Sequence, residues 1–473
     1  MLRLYVAAYR TVRCSREGKR FPLLFNHYWG GDCMNIIQKK GSMLCLFGLV
    51  GALLAGCGSS ADTKPSAPNA SMPPAQNTSP ATLTLYVMGG LTEVYAKQYI
   101  VSHIQKQMPH ITMNIVVEGK GTAPQELVTA GTIPDLMFFP NNRLYDMNEL
   151  GLLANLDPLV KSHQIDLTRL DDGLVDSIRK YSDKGELLTM PWGTGNYALY
   201  YNKDIFDKFA VPYPKDGMTW DEVYQLATRL TRIDGGVQYK GFDFAPSNYL
   251  GYNQLSAPLV DAKTDKASFN TDAWKKLFET FGRFVMIPGN NTAGNNKELE
   301  DFTKTRTLAM RAGTTMLPQL LALEKEGNPI NFDLVSFPAF PETPKTSLQY
   351  LASTFAISTQ SKYKDQAMEI IKIMLSDEVQ KEGAGILRLT ALKSEEVRGA
   401  TGKDYPSISG KNIKALYANK LAPTKEATKY DDIVRKALPA HFNNYAQGKK
   451  DLNTVLREAE EEVNKKIAEQ KAK

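Results

Sequence analysis

The sequence predicts an α/β protein divided into two lobes, and three observations carry that prediction. At 473 residues the chain is too long for one compact core. Between residues 82 and 139, strand-like alternation and helix-like periodicity follow one another as β-α-β-α-β. That order belongs to a parallel sheet, which takes ligands at the C-terminal ends of its strands. The stretch 190–206 then sets Trp192 between Pro191 and Gly193 and runs through Thr194, Gly195 and Asn196 into Tyr197-Ala198-Leu199-Tyr200-Tyr201. The aromatic run reads as a buried strand opening a new unit. A ring on a Pro/Gly-rich crossing suits a hinge, with a ligand cleft between the two lobes.

Composition narrows the function. The chain is 42% hydrophobic and 23% charged, an ordinary globular balance. Its formal net charge of +6 comes from the N-terminal end, where eight Lys/Arg and two acids precede Cys57. From Cys57 on, 49 basic and 49 acidic residues cancel, so neither a nucleic acid nor a membrane surface is expected as a partner of the folded part. The cysteines are Cys14, Cys33, Cys45 and Cys57, so nothing beyond residue 57 can form a disulfide or a thiolate metal site. His27, His103, His110, His163 and His441 show no ligand spacing, and no metal or cofactor is expected.

Near the N-terminus, Lys39 and Lys40 precede an apolar run from Leu44 to Leu54 that ends in Ala55-Gly56-Cys57. A positive segment, an apolar segment and small residues make a signal peptide over 34–56. The run is short for a spanning helix. Leu54-Ala55-Gly56-Cys57 resembles the lipobox of bacterial lipoproteins, which implies cleavage before Cys57, acylation of its thiol and residence on the outer face of the cell membrane. Residues 1–33 precede a complete signal peptide that can start at Met34. They read as an over-extended gene start, because Gly30-Gly31-Asp32 can be encoded by a purine-rich ribosome-binding sequence. Residues 57–81 are rich in Ser, Pro, Ala, Asn and Thr and read as a disordered tether.

The elements follow in order. Residues 82–88 alternate as a strand and stop at Gly89-Gly90. Val94, Tyr95, Tyr99, Ile100, Ile104 and Met108 recur at helical spacing until Pro109. Residues 111–117 and 135–139 are strands, the second reached through Gly131 and Pro134. Asn202 caps a short helix beginning near Ile205. Thr219 and Glu222 form a T-x-x-E capping box opening a helix to about Arg232, in which Trp220 packs. Trp274 packs in the amphipathic segment 272–284. Gly289 and Gly294 have phosphate-loop spacing, but Asn295 stands where a lysine belongs. Strands follow at 307–313, 332–337 and 350–358, with helices at 317–326 and 363–375. Ser376 opens the next helix. The last hundred residues read as helical, with 458–473 polar and solvated.

Taken together, Pro134-Asp135-Leu136-Met137-Phe138-Phe139, Gly151-Leu152-Leu153, Leu199-Tyr200-Tyr201-Asn202-Lys203-Asp204, Thr219-Trp220-Asp221-Glu222, Leu308-Ala309-Met310 with Gly313, and Phe355-Ala356-Ile357-Ser358 resemble one family. It is the maltose-binding-protein-like extracellular solute-binding proteins of ATP-binding-cassette (ABC) sugar importers. The resemblance spans 82 to about 400. It implies a periplasmic-binding-protein-like fold whose chain crosses between lobes near Trp192-Gly193, Glu300 and Tyr350. The first lobe would hold 82–193 and 301–350, and the second 194–300 and 351–473. It also implies a monomer that traps a sugar or oligosaccharide and delivers it to ABC permease subunits. Phe139, Asn141, Asn142, Arg143 and Trp192 become ligand contacts of the first lobe and crossing. Tyr197, Asn248, Tyr249, Tyr252 and Thr314 become those of the second. The chain departs from the family where Thr314-Thr315-Met316 replaces a common tryptophan, and where Tyr350-Leu351-Ala352-Ser353 lacks a Gly-Gly pair.

Other readings stay open: a peptide, polyamine or metal-chelate cargo, a sensory lipoprotein, or a secreted carbohydrate-active enzyme. The last needs two placed carboxylates. The sequence carries no G-x-S-x-G, H-E-x-x-H or dinucleotide fingerprint.

Overall fold

The computed structural model describes residues 78–89, 91–290 and 297–472. The N-terminal extension, the signal peptide, Cys57, nearly all of the tether, Gly90 and the 291–296 loop lie outside the described residues.

The described strands are β1 (Ala81–Val87), β2 (Ile111–Val117), β3 (Leu136–Pro140), β4 (Met190–Thr194), β5 (Tyr197–Asn202), β6 (Arg232–Asp234), β7 (Val237–Asp243), β8 (Leu308–Thr314), β9 (Phe332–Ser336), β10 (Thr346–Gln349), β11 (Ala352–Ile357) and β12 (Lys420–Ala422). They form two five-stranded sheets, ordered β2-β1-β3-β11-β4 and β6-β7-β8-β5-β9, plus the pair β10-β12. β1 runs parallel to both β2 and β3, as the β-α-β-α-β reading requires. β11 is antiparallel to β3 and β4, and β5 is antiparallel to β8 and β9. Each sheet is covered by helices, giving the two-lobed α/β architecture.

Strand pairing corrects the expected partition. β8 and β9 hydrogen-bond on either side of β5 in the second sheet, while β11 lies between β3 and β4 in the first. The segment 301–350, expected in the first lobe, therefore supplies second-lobe strands, and 352–357 returns to the first. Among the described residues the chain near Glu300 stays with the second sheet, where the helix Glu298–Thr303 packs on β8. The third passage comes later. Leu392 still bridges to Leu170 in the first lobe, whereas the helix Asp431–Ala446 packs on Pro246–Gly251 and Asp272–Val285 in the second. Periodicity reports which face of a segment is buried, and partners more than a hundred residues away leave no trace in it.

Local signals held where the physics is local. The Thr219 hydroxyl accepts from the Glu222 N–H at 3.3 Å, and the Glu222 carboxylate accepts from the Thr219 N–H at 2.7 Å. This capping box satisfies two otherwise orphaned donors. The Trp220 and Trp274 side chains are fully enclosed. The first helical region is interrupted by a π segment, Lys97–Val101, and buries Ala96, Ile100 and Ile104, leaving Val94 69% exposed on the opposite face. The C-terminal helix Leu452–Lys471 is not wholly solvated. It buries Val455, Leu456, Ala459, Val463 and Ile467 and packs on Asp431–Ala446.

Candidate functional site

Two segments of chain pass side by side between the sheets. Gly195 and Asn196 join β4 to β5, and Tyr350 and Leu351 join β10 to β11. The Gly195 N–H donates to the Leu351 carbonyl at 2.7 Å, and the Thr194 N–H to the Leu389 carbonyl at 3.2 Å. The Asn196 amide donates to the Leu416 carbonyl at 2.7 Å. A Cβ on Gly193 would come within 2.8 Å of the Leu389 oxygen, and one on Gly195 within 3.3 Å of the Leu351 oxygen. The glycines here permit backbone-to-backbone approach, which makes this a tight crossing.

Trp192 is not on that crossing. It lies inside β4, 1% exposed. Its ring meets Phe138 and Phe355 edge-on at 5.1 and 5.7 Å, and its N–H donates to the Met374 carbonyl at 3.1 Å. The buried guanidinium of Arg388 lies 3.9 Å from the ring centroid. These groups enclose the indole in the first-lobe core. Pro191 and Gly193, which suggested a crossing, are accommodated because the pairing of β4 with β11 shifts register, and on its other side β4 makes only a bridge from Gly193 to Thr390.

At the first sheet the ends of β1, β2 and β3 converge. Arg143 reaches Glu118 at 3.2 Å and Asp146 at 2.9 Å, and the Gly89 N–H lies 3.5 Å from the Glu118 carboxylate. Burial works against the charge on Arg143, but these carboxylates outweigh it and raise its pKa. Asn142 is half-buried, and its side-chain oxygen has no hydrogen-bond partner among the described residues. Asn141, also expected to touch ligand, is buried and clamps the returning chain. Its amide donates to the Tyr350 carbonyl at 3.4 Å, and its oxygen accepts from the Ala352 N–H at 3.0 Å. Phe139 is wholly enclosed in the core.

At the second sheet, Tyr197 opens β5 opposite Thr314, the last residue of β8. Tyr197 is buried and donates to the Gln349 carbonyl at 3.2 Å, which ties it to the crossing. Thr314 and Asn248 are half-buried. Tyr252 is buried with the Arg435 guanidinium 4.8 Å from its ring. Tyr249 is fully enclosed, packed against Trp220, Phe244, Phe281 and Phe337. Of the expected contacts, the fold thus leaves Asn142, Arg143, Asn248 and Thr314 partly open, and closes Phe139, Asn141, Trp192, Tyr197, Tyr249 and Tyr252 into the protein.

Sequence reasoning missed three charged residues at these two sheets. Glu118 directly follows β2, Asp243 closes β7, and Arg311 stands opposite Asp243 in register on β8. The available signal for Glu118 and Asp243 was position, since both sit at a strand's C-terminal end, whereas Arg311 lies in the middle of β8 and carried none. Among the described residues no group of His, Cys, Asp or Glu is placed to hold a metal ion, and no helix is long and apolar enough to cross a membrane.

A family model described as bacterial extracellular solute-binding protein matches residues 100–409, well over half of the chain. The chain belongs to that family. Among curated relatives, this solute-binding protein is 25% identical over 306 residues to the sn-glycerol-3-phosphate-binding periplasmic protein UgpB of Brucella melitensis, covering 60% of this chain and 68% of that one. Among solved structures, it matches a sugar transporter from Rhizobium etli in an open conformation at 21% identity and TM-score 0.69, covering 81% of this chain and 99% of that one. It also matches the sugar-binding protein MalE of Xanthomonas citri at 20% identity and TM-score 0.65, covering 83% and 98%. At these identities the structural likeness speaks for the fold.

Proposed function

We propose that this solute-binding protein captures a sugar or oligosaccharide between its lobes and hands it to the permease subunits of an ABC importer. On this reading it is a monomer, held on the outer face of the cell membrane by a lipid on Cys57. The observation that carries the reading is the convergence of two sheet edges on the tight crossing at Gly195 and Leu351. Sugars present hydroxyl edges, which carboxylate, amide and guanidinium groups recognise by paired hydrogen bonds in a desolvated cleft. Glu118, Asn142 and Arg143 supply such groups from the first lobe, and Asn248 and Thr314 from the second. Contacts to both lobes favour the closed form, and the crossing absorbs the change when the permease opens it. No bond in the cargo is made or broken.

The test is thermal stabilisation of the purified protein by a panel containing maltose, mannobiose, D-mannitol and sn-glycerol 3-phosphate, with recovered ligand examined by mass spectrometry. Stabilisation by a sugar recovered intact supports the proposal. Cleavage products would favour an enzyme. Cys57→Ser tests the anchor, and release of the protein into the medium is the expected result. Retention in the membrane fraction would argue against it.

A further inference from the structure

The second lobe buries three acidic or basic side chains together where the end of β7 lies beside β8. Asp243 is 4% exposed, Glu298 5% and Arg311 9%. Arg311 faces Glu298 at 3.5 Å, a long contact for an ion pair this buried. Its Nη1 lies 3.8 Å from the sulfur of Met316 and 3.2 Å from where a Cβ on Gly313 would sit. The guanidinium is therefore folded forward along β8, toward Thr314 and the crossing, since a Cβ on Gly195 would meet Thr314 Cγ2 at 3.9 Å. A Cβ at 313 would crowd the guanidinium and require it to shift by a few tenths of an ångström.

Two further observations set the cluster apart from a structural ion pair. Asp243 makes no ion pair among the described residues, and its one hydrogen bond there is to the next N–H, that of Phe244, at 2.7 Å. The hydroxyl of Tyr249 is fully buried and has no partner among the described residues, and neither has Nε of Arg311. That hydroxyl lies within the electrostatic reach of Arg311, Glu298 and Asp243. Buried polar groups are nearly always hydrogen-bonded, so a concentration of underused donors and acceptors in one cluster marks groups kept for something else.

We propose that Asp243, Arg311 and the Tyr249 hydroxyl, with Glu298 offsetting the arginine, are the second lobe's specificity determinants and take adjacent hydroxyls of an uncharged polyol. This rests on the solute-binding reading above and goes further by naming residues and excluding a charge. A carboxyl group and a guanidinium on residues in register on neighbouring strands offer acceptors and donors together. The cluster is a poor phosphate site, because Glu298 already offsets the charge of Arg311. Burial pushes the Asp243 carboxyl up to about 8, so at neutral pH it keeps its proton and adds a donor rather than a charge.

The first arm uses the wild-type protein. Maltose, mannobiose or D-mannitol should raise the melting temperature, and sn-glycerol 3-phosphate should not. Stabilisation by the phosphate ester alone overturns this inference and leaves solute binding intact. No stabilisation by any of the four contradicts the carbohydrate reading itself. The second arm takes the sugar that binds and measures its Kd by calorimetry on Asp243→Val and on the double variant Glu298→Gln/Arg311→Met, which removes the pair without stranding either charge. A loss of about tenfold or more, with the unliganded melting temperature kept, is the expected result. Wild-type affinity in either folded variant overturns the assignment. Asp243→Asn, which keeps one donor and one acceptor, should recover most of the binding lost in Asp243→Val.

Discussion

At the edge of the first sheet the Arg143 side chain is 32% exposed and shared between two carboxylates at 2.9 and 3.2 Å. Within the second, the Arg311 side chain is 11% exposed and has one carboxylate at 3.5 Å. The same residue type, just past a strand end in one lobe and in the middle of a strand in the other, is saturated in the first and underused in the second. Solvent explains the difference. A partly exposed guanidinium gains little from its partners, because water competes for it and screens them. A buried one pays a large desolvation cost that a single distant carboxylate does not repay. The two lobes therefore contribute differently to a cleft. The first presents a partly solvated edge, and the second a buried cluster of the kind our proposal assigns to the ligand.

The variants most able to break this contrast have the largest expected effects. Arg311→Met alone leaves Glu298 without its partner and should cost about 3–5 kcal/mol by urea denaturation. A cost below about 1 kcal/mol would mean the second-lobe pair is as solvated as the first. Trp192→Ala empties an indole-sized volume in the first-lobe core and should cost a similar amount, about 3–5 kcal/mol. It should leave sugar affinity in the folded variant within a few-fold of wild type. A tenfold loss with little destabilisation would restore the indole as a ligand contact.

A third variant sharpens the comparison through pH. Burial raises the Asp243 pKa to about 8; Glu298 and Asp301 add to that, while the Phe244 N–H and Lys240 oppose it, with Arg311 alongside. The native state thus holds a proton that the unfolded chain releases near 4, its ordinary value. Stability contributed by this group is full below about pH 4 and is lost as pH rises toward 8. Asp243→Asn removes that loss. Its melting temperature should exceed wild type at pH 9 and converge on it toward pH 5. A constant gap, or one that widens in acid, would contradict the buried, unpaired carboxyl. The smallest effect belongs to the first edge, where Arg143→Met should cost under about 1 kcal/mol and lose its effect in high salt. A larger cost would show that this edge is no more solvated than the second-lobe cluster.

The sequence made the local elements legible and left their assembly dark. Strand ends at Gly89 and Asn141, and the cap at Thr219, are written in a few neighbouring residues. The return of β8 and β9 to β5 is not, because it is decided by hydrogen-bond register between distant segments. Trp192 lies in a strand and not on the crossing: proline and glycine around a ring look like a crossing, while a strand with shifted register accepts both. The Tyr249 ring belongs to the core, and its hydroxyl alone is unaccounted for among the described residues, which no sequence pattern signals. Asp243 and Arg311 escaped notice because a single charge in an apolar strand carries no periodic signal. Only the register that sets them side by side gives them meaning.

The central claim is that the two lobes shut on an uncharged sugar. Small-angle X-ray scattering of the purified protein, titrated with whichever of maltose, mannobiose or D-mannitol stabilises it, tests this directly. A saturable fall in the radius of gyration, absent with sn-glycerol 3-phosphate, is the predicted result. A radius unchanged at saturating sugar would contradict the account.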